Sequence, residues 1–486
     1  MKWIAAVVAS AALVCAAHGQ KLEVKSANAK KVTLAWTGTA APGWTVERKS
    51  GSEFEKLADV TSAAYDDEKI QPFGTYSYRV RAKGATAASN VVTVGPPPMG
   101  LLKPAPAPKG KDRDSDDWGR KSALALDENG DAAIAFLWRD PNAANKPDES
   151  QLLFVRWNRA AYKWDEPRKV AVTGATSPEA GEPIAMAFEP DTGTAGLVFP
   201  VDGQKGFTFA LSHDGGATWQ LTPYATGMEN EISSSTLIFA KGHFYLAANQ
   251  YNEGPFLLDG SIGSDATSWK MRTPPKVGKE HHDKAPVALA MDAQGKLYMA
   301  FYDANVSGKD GYLFNVWQPD SGKVVTAADT NGDHPDSPNL KLAAGGGKLI
   351  LLMAMNPDEK DSKAGIWASV SQDGTTWSKP VAIPHDESRS SGGPMSAAIN
   401  SKGAIYVAYS SPSGSSEGPC GSAHYARSLD GTTWTHCAVA KDVHDTFSTL
   451  PVTKNAIVAP DDTFYYLWNE GRSEKNGPGL LLWHTR

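Results

Sequence analysis

The sequence predicts an all-β chain: a small N-terminal β-sandwich followed by a β-propeller, with seven blades favoured and six as the alternative. Three observations predict it. The first is a hairpin phrase that recurs. Pro286–Asp303 reads as two short strands joined by a tight turn at Ala293–Gly295, and Pro394–Tyr409 repeats it closely. Looser copies are Leu124–Trp138, Pro183–Phe199, Thr236–Asn249, Asn339–Asn356 and Pro451–Asn469. Their turns fall near Gly130, Gly193, Gly242, Gly295, Gly347, Gly403 and Asp462, at spacings of 63, 49, 53, 52, 56 and 59 residues. Small and apolar residues fill both arms, which suits strands buried on both faces. Self-similarity at such a period, with several strands per unit, is the signature of a propeller. The second observation is a turn phrase between the hairpins. The third is a Pro-rich stretch that sets the repeats apart from a run of short alternating strands.

At 486 residues, two domains are expected. A net charge of −6 with 21% charged residues argues against a nucleic-acid partner, because no basic face dominates. Residues 1–19 pair Lys2 with an apolar run and small residues, as a secretory signal peptide does. Cleavage after Gly19 puts Ala17 and Gly19 at the small-residue positions, and the mature chain is expected to be secreted, periplasmic or extracellular. Cys15 invites a lipidated reading, but Leu13 and Val14 ahead of it are not the small residues that chemistry uses. No later apolar run reaches the ~18 residues a membrane span needs. Removing Cys15 leaves Cys420 and Cys437, and two cysteines in an exported chain suggest one disulfide, with two unpaired thiols as the alternative.

Residues 21–95 form the first domain. Val32–Trp36 alternates and ends in a large aromatic, and Trp44–Arg48 alternates again after a Pro-Gly turn. Thr75–Ala82 and Ser89–Val94 follow the turn at Pro72–Gly74. Several short strands with no helix make a β-sandwich, with Trp36 and Tyr78 in its core. The Leu34-x-Trp36, Val46-Glu47-Arg48 and Tyr76-x-Tyr78-Arg79-Val80-x-Ala82 phrases resemble a fibronectin type III domain, which implies a spacer or contact module. Residues 96–115 carry alternating prolines, which stiffen them into an extended linker.

Residues 116–486 form the propeller. After each hairpin comes a second strand pair, and its turn carries the second phrase. Ser212–Trp219 is the fullest copy; Ser371–Trp377 and Ser428–Trp434 are one residue shorter, and Gly263–Trp269 is degenerate. Within the phrase, Asp accepts backbone N–H bonds, Gly supplies positive φ, and Trp packs the turn onto the sheet. The phrase resembles the Asp-box, or bacterial neuraminidase repeat, of sialidases and their non-sialidase relatives. That resemblance implies that Asp214, Asp373 and Asp430 are structural and lie away from any active face. The last unit ends on Gly479–Arg486 as a third strand, and the stretch near Leu101 or Lys109–Arg120 is expected to supply its fourth.

The connections into each inner strand and out of each second strand share one face of a propeller, and here they are polar. Arg120, Arg139, Arg389 and Arg472 lie in them, and so does Tyr251 beside Glu253. Four successive units place a His ahead of the inner strand: His282, His334, His385 and His444. Converging with Asp283, Asp336 and Asp445, these imidazoles would bind a divalent metal; the alternative is a solvated polar rim, and no cofactor is required. The sialidase resemblance implies an arginine clamp on a carboxylate, a Tyr nucleophile helped by Glu, and an acidic Asp. The early Phe/Tyr-Arg-Ile-Pro segment carrying the first such arginine is absent. The expected function is therefore recognition of a glycan or another surface component, with Tyr251 and Tyr302 stacking on sugar rings. The alternative is an extracellular exo-glycosidase of sialidase-like architecture.

Overall fold

The structure, a computed structural model, describes residues 20–38, 42–71, 74–97, 122–139, 150–172, 184–201, 204–225, 227–230, 232–250, 253–261, 269–278, 280–281, 286–306, 309–329, 339–355, 365–384, 395–411, 422–440, 456–470 and 479–484. Among them every regular element is a strand. No helix is long and apolar enough to cross a membrane among the described residues. The chain divides into two compact units, Met1–Pro97 with Asn158–Lys163, and Pro98–Trp157 with Trp164–Arg486.

The first unit holds seven strands: β1 Leu22–Ala27, β2 Val32–Trp36, β3 Trp44–Lys49, β4 Glu55–Val60, β5 Ala64–Asp67, β6 Tyr76–Ala82 and β7 Val92–Val94. They form two antiparallel sheets, ordered β1-β2-β5 and β4-β3-β6-β7. Alternation in β2, β3 and β6 sends one face inward, where Leu34, Val46, Tyr78 and Val80 are fully buried. Trp36 meets Trp44 edge-on at 5.9 Å. The one buried carboxylate in this core, Asp67, accepts from Arg48 at 2.8 Å and from the Tyr78 hydroxyl at 2.8 Å. A charge removed from water needs such partners. Strands β1, β4 and β5 escaped the sequence reading because they are short, largely exposed and interrupted by charged residues such as Lys25, Lys56, Asp59 and Asp66.

The second unit contains seven antiparallel sheets among the described residues, each built from consecutive strands. Their inner strands are Ser122–Leu126, Ala185–Phe188, Ile232–Ala240, Ala288–Met291, Asn339–Gly345, Met395–Ile399 and Ala456–Val458. Each inner strand lies beside the next, and the last lies beside the first. The sheets therefore form a closed ring, the arrangement of a β-propeller. Seven apolar clusters fill the seven gaps between neighbouring sheets. Alternate residues of one strand serve alternate gaps: Leu340 and Leu342 pack toward the fourth sheet, Ala343 toward the sixth. This is why the hairpin arms are apolar throughout rather than alternating. The seventh sheet shows three strands; residues 98–121, expected to add a fourth, lie outside the described residues.

Candidate functional site

The seven inner-hairpin turns fix the two ends of the ring. At the seven turn positions read from the sequence, Gly130, Gly193, Gly242, Gly295, Gly347, Gly403 and Asp462, φ lies between 67 and 79°. Neighbouring turns touch. Ser401 Oγ lies 3.1 Å from Asp462 Oδ1, and a Cβ on Gly346 or Gly295 would collide with Gly403 or with Lys241. At the strand starts, Val287 N donates to Ser234 Oγ at 3.3 Å and Ala456 N to Ser396 Oγ at 3.1 Å. Start meets start and turn meets turn, so inner strands run the same way around the ring. The connections leading into them, and those leaving the second strands, therefore belong to the opposite, loop-rich end.

The recurring Asp phrase sits at the turn end and acts as a clasp between sheets. Asp373 accepts from Thr375 N and Thr376 N at 2.7 Å, and Asp430 from Thr432 N and Thr433 N at 2.8 Å. Asp214 reaches Thr218 N at 2.8 Å and Thr218 Oγ1 at 2.6 Å. These donors hold the carboxyls of Asp373 and Asp430 well below the usual range. Asp214 falls to about 2: its slight burial pushes the other way but is outweighed by the bonds from Thr218 and Ser212. Each turn then rests on the preceding sheet. Gln318 donates to Gly374 O at 3.1 Å, Lys348 donates to Leu429 O, and Gly216 faces the Phe154 ring. Trp219, Trp377 and Trp434 pack into the gap shared with that sheet. Both carboxylate oxygens of each of the three aspartates are engaged by its own turn, which suits architecture rather than chemistry.

At the loop-rich end, residues in the second halves of three second strands fasten the connection leading into their own sheet. Asp303, fully buried, accepts from Val277 N at 2.8 Å, Gly278 N at 3.0 Å and Asn315 Nδ2 at 3.2 Å. Tyr409 donates to Pro384 O at 2.9 Å, and the Gln250 amide lies within hydrogen-bond distance of Asn230. In sequence, Asp303 and Gln250 read only as part of the polar connections at this end. They are buried anchors that hold the loops in place, a role that needs a partner search in space rather than along the chain.

Of the residues nominated from sequence, Arg120, Tyr251, His282, Asp283, His334, Asp336, Arg389, His444, Asp445 and Arg472 lie outside the described residues, as does His385. Arg139 ends the second strand of the first sheet, at the loop-rich end; its side chain is outside the description. Cys420 is also outside it, and Cys437 lies in the strand Thr435–Ala440. Among the described residues no group of three or more His, Cys, Asp or Glu side chains is placed to hold a metal. Tyr302 requires a correction. It is 1% exposed, meets Tyr312 edge-on at 5.2 Å and lies 5.8 Å from Phe314. Burial drives its hydroxyl well above the ordinary tyrosine range. A ring so enclosed cannot stack on a sugar.

No protein family known by its sequence profile matches this chain, and no curated protein matches it either. Solved structures resemble it weakly. A polysaccharide lyase is 13% identical, covering 79% of this chain and 92% of its own, at a TM-score of 0.47. A Hadza microbial sialidase is 13% identical over 80% of this chain and 92% of its own, at 0.39. The six-bladed fungal lectin of Aleuria aurantia is 12% identical over 67% and 96%, also at 0.39. Likeness at that level says nothing about the ligand of this chain.

Proposed function

We propose that this is an exported recognition protein: a seven-bladed Asp-box propeller that binds a glycan or surface component at its loop-rich end, with a fibronectin type III-like domain as spacer. The supporting observation is the polarity of the ring. Neighbouring inner-hairpin turns touch at one end of the ring; on this reading the connections whose sequence carries Arg120, Arg139, Tyr251, the His-Asp pairs, Arg389 and Arg472 make up the binding face. Anchors such as Asp303 hold those connections by buried hydrogen bonds, as a preorganised binding surface requires. The ligand class is read from the Asp-box resemblance and from planar polar and aromatic side chains, which suit hydroxyl-rich rings. A Cys420–Cys437 disulfide and the signal peptide belong to the same reading.

The experiment is a glycan array probed with the mature full chain, followed by titration of any ligand found. Saturable binding without turnover is expected, and Asp303→Ala should weaken it tenfold or more by freeing the Val277–Gly278 connection. Cleavage of the bound glycan would replace recognition by the hydrolase alternative. Silence across neutral, acidic and amino-sugar polymers would sink the glycan reading altogether.

A further inference from the structure

Each inner strand of the ring has one ladder partner, the second strand of its own sheet, and its other edge faces the axis. An antiparallel ladder uses the N–H and C=O of alternate residues only. The hairpin turns fix which residues those are. Asp292 N donates to Lys296 O at 3.1 Å, and Ala459 N to Thr463 O at 2.8 Å. Counting back by twos, Ala288 and Ala290 of the fourth sheet and Ile457 of the seventh serve the ladder. Val287, Leu289 and Met291 therefore turn their N–H and C=O groups to the axis, and so do Ala456 and Val458.

The fold satisfies part of this edge itself. Val287 N donates to Ser234 Oγ at 3.3 Å, and Val287 O accepts from Thr236 Oγ1 at 3.1 Å. Ala456 N donates to Ser396 Oγ at 3.1 Å, and the same hydroxyl reaches Ala456 O at 3.5 Å. In both places the hydroxyl stands on the preceding inner strand. Two residues nearer the turns the hydroxyls stop: Ile238 succeeds Thr236, and Ala398 succeeds Ser396. There the axis holds a cavity of about 270 Å³, with Ile238, Leu289, Met291, Ala398 and Val458 in its wall. Met291 and Val458, nearest the turns, are half-buried and mark its open end. The backbone groups of Leu289, Met291 and Val458 are left to whatever fills that space. At the mouth, Lys241 is exposed and lies against the Gly295 turn, where a Cβ on Gly295 would collide with it. Asp292 in that turn is already engaged by Gln294 N, Lys296 N and the Tyr298 hydroxyl.

We infer that the edge Leu289–Met291 is a docking strand for a short extended peptide tail of another protein, entering from the turn end. A strand edge presents donors and acceptors at the spacing that another extended chain matches, so the tail pairs main chain to main chain. The inner strands lend the cavity two or three residues each, which sets the inserted length at about three residues, roughly 10 Å. Its volume admits small side chains only. Just outside, an acidic residue of the tail meets Lys241. The site lies at the opposite end from the loops. It does not depend on the glycan reading, and its test uses no glycan.

The test is calorimetric titration of the mature full chain with acetyl-Ala-Ser-Ala-Asp-Asp-amide and with the peptide of reversed sequence. Saturable 1:1 binding of at least one is expected, and silence from both would overturn the site. The peptide that binds is then made in two methylated forms, with N-methyl groups on one or the other set of alternate amides. Only one set faces the docking strand, so one form should bind about tenfold more weakly and the other almost as before. No loss from either form, or equal losses from both, would overturn strand pairing. Met291→Pro removes an axis-facing N–H that the ladder does not use, a position where proline is tolerated. It should weaken binding about fivefold; unchanged binding in the folded variant would move the tail off this edge and overturn the assignment. If that variant fails to fold, the two methylated peptides on the parent protein decide alone. Lys241→Glu should weaken the acidic peptide about threefold and leave its Asn-Asn counterpart unchanged; equal effects on the two would overturn the part given to Lys241.

Discussion

Asp127 opens the first inner-hairpin turn, and its side chain does two jobs that conflict. Oδ1 accepts Asn129 N at 2.8 Å and Asp131 N at 2.9 Å, which shapes the turn. The carboxyl is buried, with Asp131 and Glu128 as charged neighbours and Arg156 3.9 Å from Oδ2. Burial first, then repulsion from Asp131 and Glu128, pushes it above the usual carboxylate range. A carboxyl that holds its proton more tightly when folded stabilises the fold most at low pH. That contribution is lost as pH rises through the raised pKa. The sixth sheet shows what the turn needs: Asn400 Oδ1 accepts Lys402 N at 3.1 Å and Ala404 N at 2.8 Å with no charge at all. Asp127→Asn should therefore leave melting at about pH 3.5, below the unfolded carboxyl's own range, almost unchanged and raise it by about 2–4 °C at about pH 9. A variant that melts lower than the parent at pH 9 would show that Asp127 is needed as a charge.

The clasp between sheets is an element-scale device, and two glycines separate its local strain from its contact. Gly347 and Gly374 have nearly the same backbone, φ 74 and 71°. A Cβ on Gly347 meets nothing, whereas one on Gly374 collides with the Tyr298 ring of the preceding sheet. Both Gly→Ala changes carry the left-handed cost of about 1 kcal/mol. Gly374→Ala should cost a further 1–3 kcal/mol, roughly the penalty of overpacking a filled site. Chemical denaturation of the two variants side by side measures the difference, and equal losses would mean the clasp carries no packing. This element was half legible in the sequence. The Ser-x-Asp-Gly phrase announced the turn, because side-chain-to-backbone bonds two to four residues apart are written in residue order. That the turn rests on another sheet was not legible, since Tyr298 and Gly374 are joined only by the ring. The second recurring turn, in which Asp127, Asp292 or Asn400 accepts the N–H two and four residues on, was overlooked beside the more visible glycine.

At the scale of the whole propeller, the period of the hairpin copies made the all-β, repeated-sheet architecture legible. It was silent on how the loops are held, because anchors such as Asp303 and Gln250 read as ordinary polar loop residues until their partners are seen. Closure is the property no single sheet possesses. The seventh sheet packs on the first through Tyr465, Leu467 and Leu482 against Leu124, Ile134, Phe136 and Val155. These residues are more than three hundred positions apart in the chain, so their contact closes the longest loop in the ring. Leu467 is fully buried in that cluster. Leu467→Ala removes most of its side chain from a filled gap and should cost about 2–5 kcal/mol. A closed ring makes a further demand. The loss should appear as faster amide exchange in the inner strand Ser122–Leu126 as well as in Ala456–Val458, because opening one seam frees both of its edges. Exchange that quickens in the seventh sheet alone, with the first sheet as protected as in the parent, would show that the ring is held elsewhere and that this seam is an ornament of packing rather than its lock.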